Sequence, residues 1–90
     1  MKRRNRYDII YMVLQFLQDG EKQSVTNVAM YNGIIHRDLD SYISILLDKG
    51  MLDVEYKKIK KSTYRYVNIS QKGLELLANM EKVMQILGEE

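Results

Sequence analysis

Residues 24–50 read SVTNVAMYNGIIHRDLDSYISILLDKG, which predicts two helices joined by a tight turn. Ser24 suits the N-terminal cap of a short helix that runs through Tyr31, because its side-chain oxygen accepts a hydrogen bond from an unpaired N–H group of the first turn. Asn32 and Gly33 then tolerate the left-handed backbone that ends a helix tightly. The chain therefore turns sharply before the next helix begins.

That next helix is predicted from about His36 to Lys49 and is amphipathic. Its apolar face consists of Leu39, Tyr42, Ile43, Leu46 and Leu47. Its polar face consists of Arg37, Asp40, Ser41, Ser44 and Asp48. Gly50 stands where a terminating glycine belongs, after Lys49 in the last turn. A helix of this kind buries one side and offers the other to a partner.

An amphipathic helix is also predicted upstream, from Asn5 to Leu17, with Gly20 as its C-terminal stop. Its apolar positions recur at spacings of three and four residues: Ile9, Ile10, Val13, Leu14, Phe16 and Leu17. The basic start MKRRNR before an apolar run has the look of a signal peptide, but Asp8, Gln15 and the polar QDGEK that follows disfavour that interpretation. The run is also shorter than a membrane span. We interpret it as a core helix with a basic leader.

The hydrophobic period changes to two residues downstream of Gly50. Leu52, Val54 and Tyr56 alternate with acidic residues, as expected for a half-buried strand, and TYRYVNI at residues 63–69 is the predicted antiparallel partner. The connection KKIKKS lacks the Gly or Asn that tight hairpins favour, so we expect a longer, mobile loop there.

A last helix is predicted from Gln71 to about Leu87, with Ser70 as its cap. Its apolar residues form two rows, more than a domain of this size readily covers. One row is Leu77, Met80, Met84 and Leu87, and the other is Leu74, Leu76, Val83 and Ile86. The helix either lies across its own domain or forms a short coiled-coil seam between two copies. We predict a homodimer whose interface consists of Leu77, Met80, Val83, Met84 and Leu87.

Three helices, two strands and a long C-terminal helix, in this order, are typical of a winged helix-turn-helix, a mainly α fold with a small β-hairpin. We predict a DNA-binding domain with a basic N-terminal leader over residues 1–70. A C-terminal dimerisation helix over residues 71–90 belongs to the same compact unit. In this fold the third helix enters the major groove of DNA, and the two-stranded wing reaches the phosphate backbone.

Three motifs support this interpretation. The first comprises Arg6, Ile9, Ile10, Tyr11, Val13 and Leu14; the second Tyr42, Leu46, Gly50 and Met51; the third Ile69, Ser70, Lys72 and Gly73. They resemble the patterns R-x-x-I-I-Y-x-I-L, Y-x-x-x-L-x-x-G-L and I-T-x-K-G of the small archaeal winged helix-turn-helix DNA-binding proteins, which are about the size of this chain, 10.7 kDa. The second motif has one extra residue before its glycine. That family has chromatin-type and regulator-type members, and the resemblance implies double-stranded DNA binding by a homodimer joined through its C-terminal helices.

The sequence departs from that family at the start of the third helix. Ile35 stands where such proteins often have a capping serine or threonine. Asp38 and Asp40 follow, and their carboxylates repel phosphate groups if they face DNA. Two interpretations stay open: the aspartates stabilise the positive end of the helix dipole, or they reject wrong sites and accept a hydrogen bond from a cytosine amino group.

Positive charge is concentrated in two segments. One is the leader, with Lys2, Arg3, Arg4 and Arg6; the other is the predicted wing (residues 57–65), with Lys57, Lys58, Lys60, Lys61 and Arg65. None of the 12 acidic residues lies in either segment, although the formal net charge is only +2. Such polarity favours a polyanionic partner. We predict that both segments bind the DNA backbone, with a strong salt dependence because each neutralised phosphate releases counterions.

The third helix supplies the other predicted DNA contacts, which are His36, Arg37, Ser41 and Ser44. Arg37 can bond a guanine edge through two N–H groups, contact phosphate, or pair locally with Asp40 or Ser41. Tyr64 flanks the wing cations and is assigned to the interface. Outward tyrosines such as Tyr64 and Tyr66 are also common in strands for their β-propensity alone.

The composition disfavours other classes of function. The chain has no Cys and a single His, so we predict no metal site and no cofactor. No nucleophile with a base, paired carboxylates or glycine-rich phosphate loop suggests an enzyme. We predict a cytoplasmic, nucleoid-associated transcriptional regulator with no membrane contact and no indicated effector. The alternatives are a chromatin-type packaging protein without sequence preference, a protein-interaction module, or a protein that binds structured RNA. Basic and aromatic residues also suit an anionic membrane surface, but such binding requires exposed apolar anchors, which the first helix is expected to bury.

Overall fold

The computed structural model describes residues 5–88, which fold as a winged helix-turn-helix. In chain order the elements are α1 (Arg6–Phe16), β1 (Gln23–Ser24), α2 (Val25–Asn32), α3 (His36–Asp48), β2 (Leu52–Ile59), β3 (Ser62–Ile69) and α4 (Gln71–Leu87). The predicted winged fold is confirmed. Each predicted helix is present, and its ends differ from the prediction by no more than a residue.

α1 begins with a reciprocal cap. The Asn5 side chain accepts a hydrogen bond from the Asp8 N–H at 2.9 Å, and the Asp8 carboxylate accepts one from the Asn5 N–H at 3.2 Å. The helix ends at Phe16, and the Gly20 N–H then donates to the Leu17 carbonyl at 3.0 Å. Gly20 therefore closes the turn that follows the helix and does not cap the helix itself.

α2 and α3 form the predicted helix-turn-helix. Ser24 Oγ accepts a hydrogen bond from the Asn27 N–H at 3.1 Å, as a capping serine should. Gly33 ends α2 with a φ of +63°, a left-handed conformation that glycine adopts without steric cost. α3 has no side-chain cap, because Ile35 carries no hydrogen-bond acceptor in its side chain.

One apolar core lies between the helices and the sheet. α3 contributes Leu39, Ile43 and Leu46, whereas Tyr42 and Leu47 of its predicted apolar face are only half-buried. The other buried side chains are Val13, Leu14, Leu17, Val25, Val28, Ala29, Leu52, Val67, Ile69 and Leu77. Among the described residues no polar or charged side chain is buried, so α3 keeps its polar face for the surface.

The sheet has three strands in the order β1-β3-β2, so the prediction of two strands was incomplete. β1 pairs antiparallel with β3 through Gln23 with Val67 and Ser24 with Tyr66. A strand of two residues has no detectable periodicity, which is why the sequence pattern missed it. The wing is the outer end of the hairpin formed by β2 and β3.

The prediction of a long, mobile loop at the end of the wing was wrong. β2 and β3 stay paired as far as Ile59 and Ser62, so Lys60 and Lys61 alone form the turn. Lys60 has a φ of +57°, the only positive φ of a non-glycine residue between Asn5 and Gly88. A left-handed residue suits the twist of a tight hairpin, and lysine adopts this conformation at a cost of about 1–2 kcal/mol.

α4 begins at its predicted cap, where Ser70 Oγ accepts a hydrogen bond from the Gly73 N–H at 3.0 Å. The helix packs against α1, and there the Tyr11 hydroxyl donates to Glu81 at 3.4 Å. Burial, and then the Glu81 charge, raise the pKa of the Tyr11 hydroxyl, so it remains a donor. Leu77, one of the predicted interface residues, is 4% exposed and packs into the core of its own protomer.

Candidate nucleic-acid interface

The exposed face of α3 carries the predicted contacts to DNA. Arg37, Ser41 and Ser44 are exposed and lie opposite the buried Leu39 and Ile43. Within residues 5–88, Arg37 forms no ion pair with Asp40 and no hydrogen bond with Ser41. Local pairing therefore does not occupy the guanidinium group, and this face is available to a partner.

Asp40 connects α3 to the wing. Its carboxylate accepts a hydrogen bond from Arg65 Nη2 of β3, and the two charges form an ion pair. Neither sequence-based interpretation of Asp40 included this role. Asp38, by contrast, is exposed in the first turn of α3, where a carboxylate interacts favourably with the helix dipole.

Strand pairing divides the wing residues between two faces. Paired residues of β2 and β3 share a face, and successive residues of one strand alternate between the faces. Because Arg65 reaches α3, its partner Tyr56 and the next pair on that face, Lys58 with Thr63, are also turned toward α3. We call these four residues the inner face of the wing.

The outer face of the wing is organised around Tyr66. Lys57 Nζ lies 4.9 Å from the centroid of the Tyr66 ring, a cation–π distance. On the same face Lys22 and Glu55 form an ion pair that joins the edges of the sheet across β3. The hydrogen bond from Lys22, followed by its charge, lowers the pKa of the Glu55 carboxyl. Lys57 is thus engaged within the sheet.

The three other wing lysines are paired with no acidic group of the residues that the structure describes. Lys58, Lys60 and Lys61 are exposed, and none forms an ion pair with another described residue. Lys60 and Lys61 occupy the tip, and Lys58 lies on the inner face. The end of the wing is therefore a cationic surface, with Lys58 on the same face of the hairpin as Arg65.

A groove of about 410 Å³ places Arg6 of α1 beside the polar face of α3. Its lining includes Arg6, Asp38, Ser41 and Tyr42. Arg6 of the predicted leader thus lies next to the proposed reading surface. Tyr42, which the periodicity assigned to the core, instead borders this groove. The other leader cations, Lys2, Arg3 and Arg4, lie outside the described residues.

His36 lies in a separate cleft of about 150 Å³ where α2, α3 and β3 meet. The cleft is lined by Ser24, Val25, Thr26, His36, Thr63, Tyr64 and Arg65. Sequence reasoning missed Thr26 and Thr63, because a single threonine belongs to no motif. Only the hairpin register, which pairs Thr63 with Lys58, could have indicated that Thr63 lies on the side of α3.

The predicted dimer positions on α4 differ in exposure. Val83 and Leu87 are 54% and 68% exposed, and Met80 and Met84 are half-buried. An apolar groove of about 450 Å³ runs beside them between α1 and α4. Its apolar lining comprises Tyr7, Tyr11, Leu76, Met80, Val83 and Met84.

Sequence and structure together define the family. Residues 3–88 match the family model described as winged helix-turn-helix, and the chain belongs to this family. No curated protein sequence matches the chain. In the part of the chain that the structure describes, no helix has the length and apolar content needed to span a bilayer. The same residues contain no cluster of three or more His, Cys, Asp or Glu side chains placed to bind a metal ion.

Several solved structures share the fold. A PadR family transcriptional regulator from Eggerthella lenta has a TM-score of 0.81 at 21% identity, over 91% of this chain and 76% of that one. BpsR from Bordetella bronchiseptica, whose DNA binding is regulated by 6-hydroxynicotinic acid, has a TM-score of 0.71 at 19% identity, over 89% and 56%. A protein from Archaeoglobus fulgidus has a TM-score of 0.71 at 10% identity, over 96% and 93%. At these identities the likeness shows the fold alone.

Proposed function

We propose that this protein binds double-stranded DNA and regulates transcription. α3 enters the major groove, with Arg37, Ser41 and Ser44 toward the bases and phosphates. The wing and the leader hold the backbone on either side of α3. In this arrangement residues 1–70 form the DNA-binding part, and residues 71–90 the dimerisation helix.

The proposal is carried by the Asp40–Arg65 ion pair, because it orients the wing relative to α3. The pair turns the inner face of the wing, with Lys58, toward the polar face of α3. The cationic hairpin and the exposed helix then form one continuous surface, as a duplex requires.

A regulator is favoured over a packaging protein by the chemistry of α3. Arg37 is followed by the exposed Asp38, and mixed charges on a reading helix suit selective contacts better than uniform attraction to phosphate. Two of the structural neighbours are also named for regulation, one as a PadR family transcriptional regulator and one as a protein whose DNA binding a small molecule controls.

Titration of a labelled duplex of random sequence at several salt concentrations tests this function. We expect binding at low salt, with log affinity falling against log salt by about 0.9 for each phosphate contact. Failure to bind any duplex at low salt would overturn the proposal, and a flat salt dependence would remove the role of the lysines. Selection from a randomised duplex pool then separates a regulator, which enriches a preferred site, from a packaging protein, which enriches none.

We further propose that the protein is a homodimer joined through α4. Val83 and Leu87 expose apolar surface beside the α1–α4 groove, and Met80 and Met84 line that groove. A second copy of α4 can cover this surface with the same residues, as a two-fold interface requires. Leu77 packs in the core of its own protomer and thereby holds α4 in place, so it does not itself contact the second copy.

Sedimentation at tens of micromolar, on the order of the concentrations at which weak interfaces form, tests the dimer. We expect a dimer for the wild type and a monomer for Val83→Glu with Leu87→Glu. Gln71→Glu with Gln85→Glu adds the same two negative charges at exposed positions of α4 and serves as the matched control that remains dimeric. A monomeric wild type would refute the proposed seam.

A protein-interaction module is the second candidate function, because three large apolar side chains are exposed near the turn between α2 and α3. Met30, Tyr31 and Ile35 are exposed where α2 ends and α3 begins. The centroid of the Tyr31 ring lies 5.5 Å from the centroid of the Phe16 ring. Single exposed apolar residues are ordinary, but a contiguous group marks an interaction surface more often. This function becomes the better account if the chain binds no duplex at low salt.

A further inference from the structure

The cleft around His36 combines groups that suit one anion. Three elements meet there, and the lining includes the imidazole of His36, the guanidinium of Arg65 and the hydroxyls of Thr26 and Thr63. None of the described residues that line the cleft is acidic. Its volume of about 150 Å³ accommodates a small polar group but not a planar base with its sugar.

The polar groups of this cleft have unused hydrogen-bonding capacity. The side chains of His36, Thr26 and Thr63 form no hydrogen bond with any residue between Asn5 and Gly88. Ser24 Oγ, in contrast, is occupied by its role as the cap of α2. Each of these three side chains brings a hydrogen-bond donor to the lining of the cleft, and phosphate oxygens accept several hydrogen bonds at once.

Arg65 is held at the cleft by a partner outside its lining. Only Nη2 of the guanidinium donates to Asp40, and a guanidinium carries five N–H donors in a rigid plane. The remaining donors stay available. Asp40 does not line the cleft, so it fixes the orientation of Arg65 without placing a carboxylate against the anion.

We infer that this cleft binds one backbone phosphate of the duplex, with Thr26, His36, Thr63 and Arg65 as donors and Asp40 as the positioning residue for Arg65. The inference rests on the proposed function. It adds a phosphate contact at the junction of α2, α3 and the wing, separate from the contacts of the wing tip. It also reverses the expected effect of Asp40, since an acid close to DNA then strengthens binding.

Duplex titrations of single variants test the cleft. Thr63→Val and Thr26→Val remove one hydroxyl each with little change in shape, and each should weaken binding about tenfold, as loss of a hydrogen bond to a charged group does. The slope of log affinity against log salt should not change in these two variants, because no charge is lost. Arg65→Gln should weaken binding and also reduce the slope by about 0.9. Ser62→Ala, on the outer face of β3, is the control and should bind as the wild type does.

Asp40→Ala gives the sharpest result, because two accounts predict opposite signs. If Asp40 positions Arg65, its removal weakens duplex binding. If it merely repels phosphate, its removal strengthens binding, and that outcome overturns the inference. Circular dichroism and a thermal melt on each variant confirm that the fold is retained.

A titration with inorganic phosphate, followed by NMR of the amide groups, separates this inference from the proposed function. Saturable shifts at Thr26, His36 and Thr63 that are lost in Arg65→Gln would support the cleft even if no duplex bound. Duplex binding by the wild type with equal affinity for Thr26→Val, Thr63→Val and Ser62→Ala would overturn the cleft and leave the proposed function standing. No phosphate shifts and no duplex binding would overturn both.

Discussion

Gly73 occupies a position in the first turn of α4 with no room for a side chain. A Cβ atom there would collide with the carbonyl oxygen of Met51 and approach Ile69 Cγ1 to 2.8 Å. The same carbonyl accepts a hydrogen bond from the Ser70 N–H at 3.0 Å, so it cannot move aside without weakening that bond. The glycine thus allows α4 to begin directly against the segment that joins α3 to β2.

We predict that Gly73→Ala lowers the free energy of unfolding by about 1–3 kcal/mol, as overpacking does. In a helix interior free of such contacts the same change stabilises by about 1 kcal/mol, because alanine has the higher helix propensity. The sign of the change in Tm, measured by thermal denaturation, therefore distinguishes overpacking from the effect of helix propensity. A raised Tm would show that the backbone contact is absent.

Lys60 is the residue at which the wing turn is strained. Its φ of +57° is unfavourable for any side chain with a Cβ, whereas glycine adopts it freely. We predict that Lys60→Gly raises the free energy of unfolding by up to about 1 kcal/mol, which corresponds to a Tm increase of about 4–8 °C in a domain of this size.

Lys61→Gly is the matched control for that change. It removes the same charge from the same turn, but the φ of Lys61 is not positive. Glycine there only increases the freedom of the unfolded chain, so Tm should fall slightly. Equal shifts of Tm in the two variants would refute the strain at Lys60.

At the scale of the element, the wing is a cationic hairpin with a tight turn. We predict that replacing Lys57, Lys58, Lys60 and Lys61 together by alanine weakens binding to all duplexes about equally, because phosphate contacts carry no sequence information. The salt slope should decrease by about 0.9 for each lysine that contacts phosphate. Anisotropy titrations on unrelated duplexes measure both quantities.

Two lysines of α4, Lys72 and Lys82, provide the control for the replacement of the wing lysines. Both are exposed, and their replacement by alanine removes positive charge far from the wing along the chain. In the double variant the slope of log affinity against log salt should remain close to that of the wild type. An equal loss of slope per lysine in the two sets would mean that net charge alone, and not the wing, governs binding.

The ion pair on the outer face of the sheet makes the stability of the fold depend on pH. The hydrogen bond and charge of Lys22 lower the pKa of Glu55 in the folded state below its ordinary value of 4.5. The pair therefore stabilises the fold above the unfolded pKa, and this contribution is lost as the pH falls through the lower, folded pKa.

We predict that Glu55→Gln reduces Tm at neutral pH and makes Tm less sensitive to acidification below 4.5, the ordinary value for glutamate. Glu75→Gln, the same substitution on the exposed surface of α4, should retain the acid sensitivity of the wild type. Identical Tm profiles for Glu55→Gln and the wild type would exclude a role for the pair in stability.

For the molecule as a whole, the features that the sequence predicted are those with local signals. Ser24 and Ser70 cap their helices through N–H groups three residues away, and Gly33 ends α2 by its own backbone preference. Each signal lies within a turn of the element that it ends or begins. The helices and the winged order could therefore be predicted without long-range information.

The missed features depend on contacts between distant residues. Asp40 and Arg65 are separated by 25 positions and meet only when the hairpin is placed against α3. The same holds for the cleft, which joins Thr26 to Thr63, and for β1, which exists only as a partner of β3. The tight turn at Lys60 was missed because tertiary pairing overrides the preference of tight turns for Gly or Asn.

In the proposed function, duplex DNA binds the surface formed by α3 and the inner face of the wing. Amide NMR shifts on titration with a short duplex test it most directly, because every element reports separately. We predict shifts at Arg37, Ser41, Ser44, Lys58 and Thr63, with the outward residues of α4 unaffected. Shifts confined to the α1–α4 groove, or to the exposed cluster at Met30 and Tyr31, would contradict the claim.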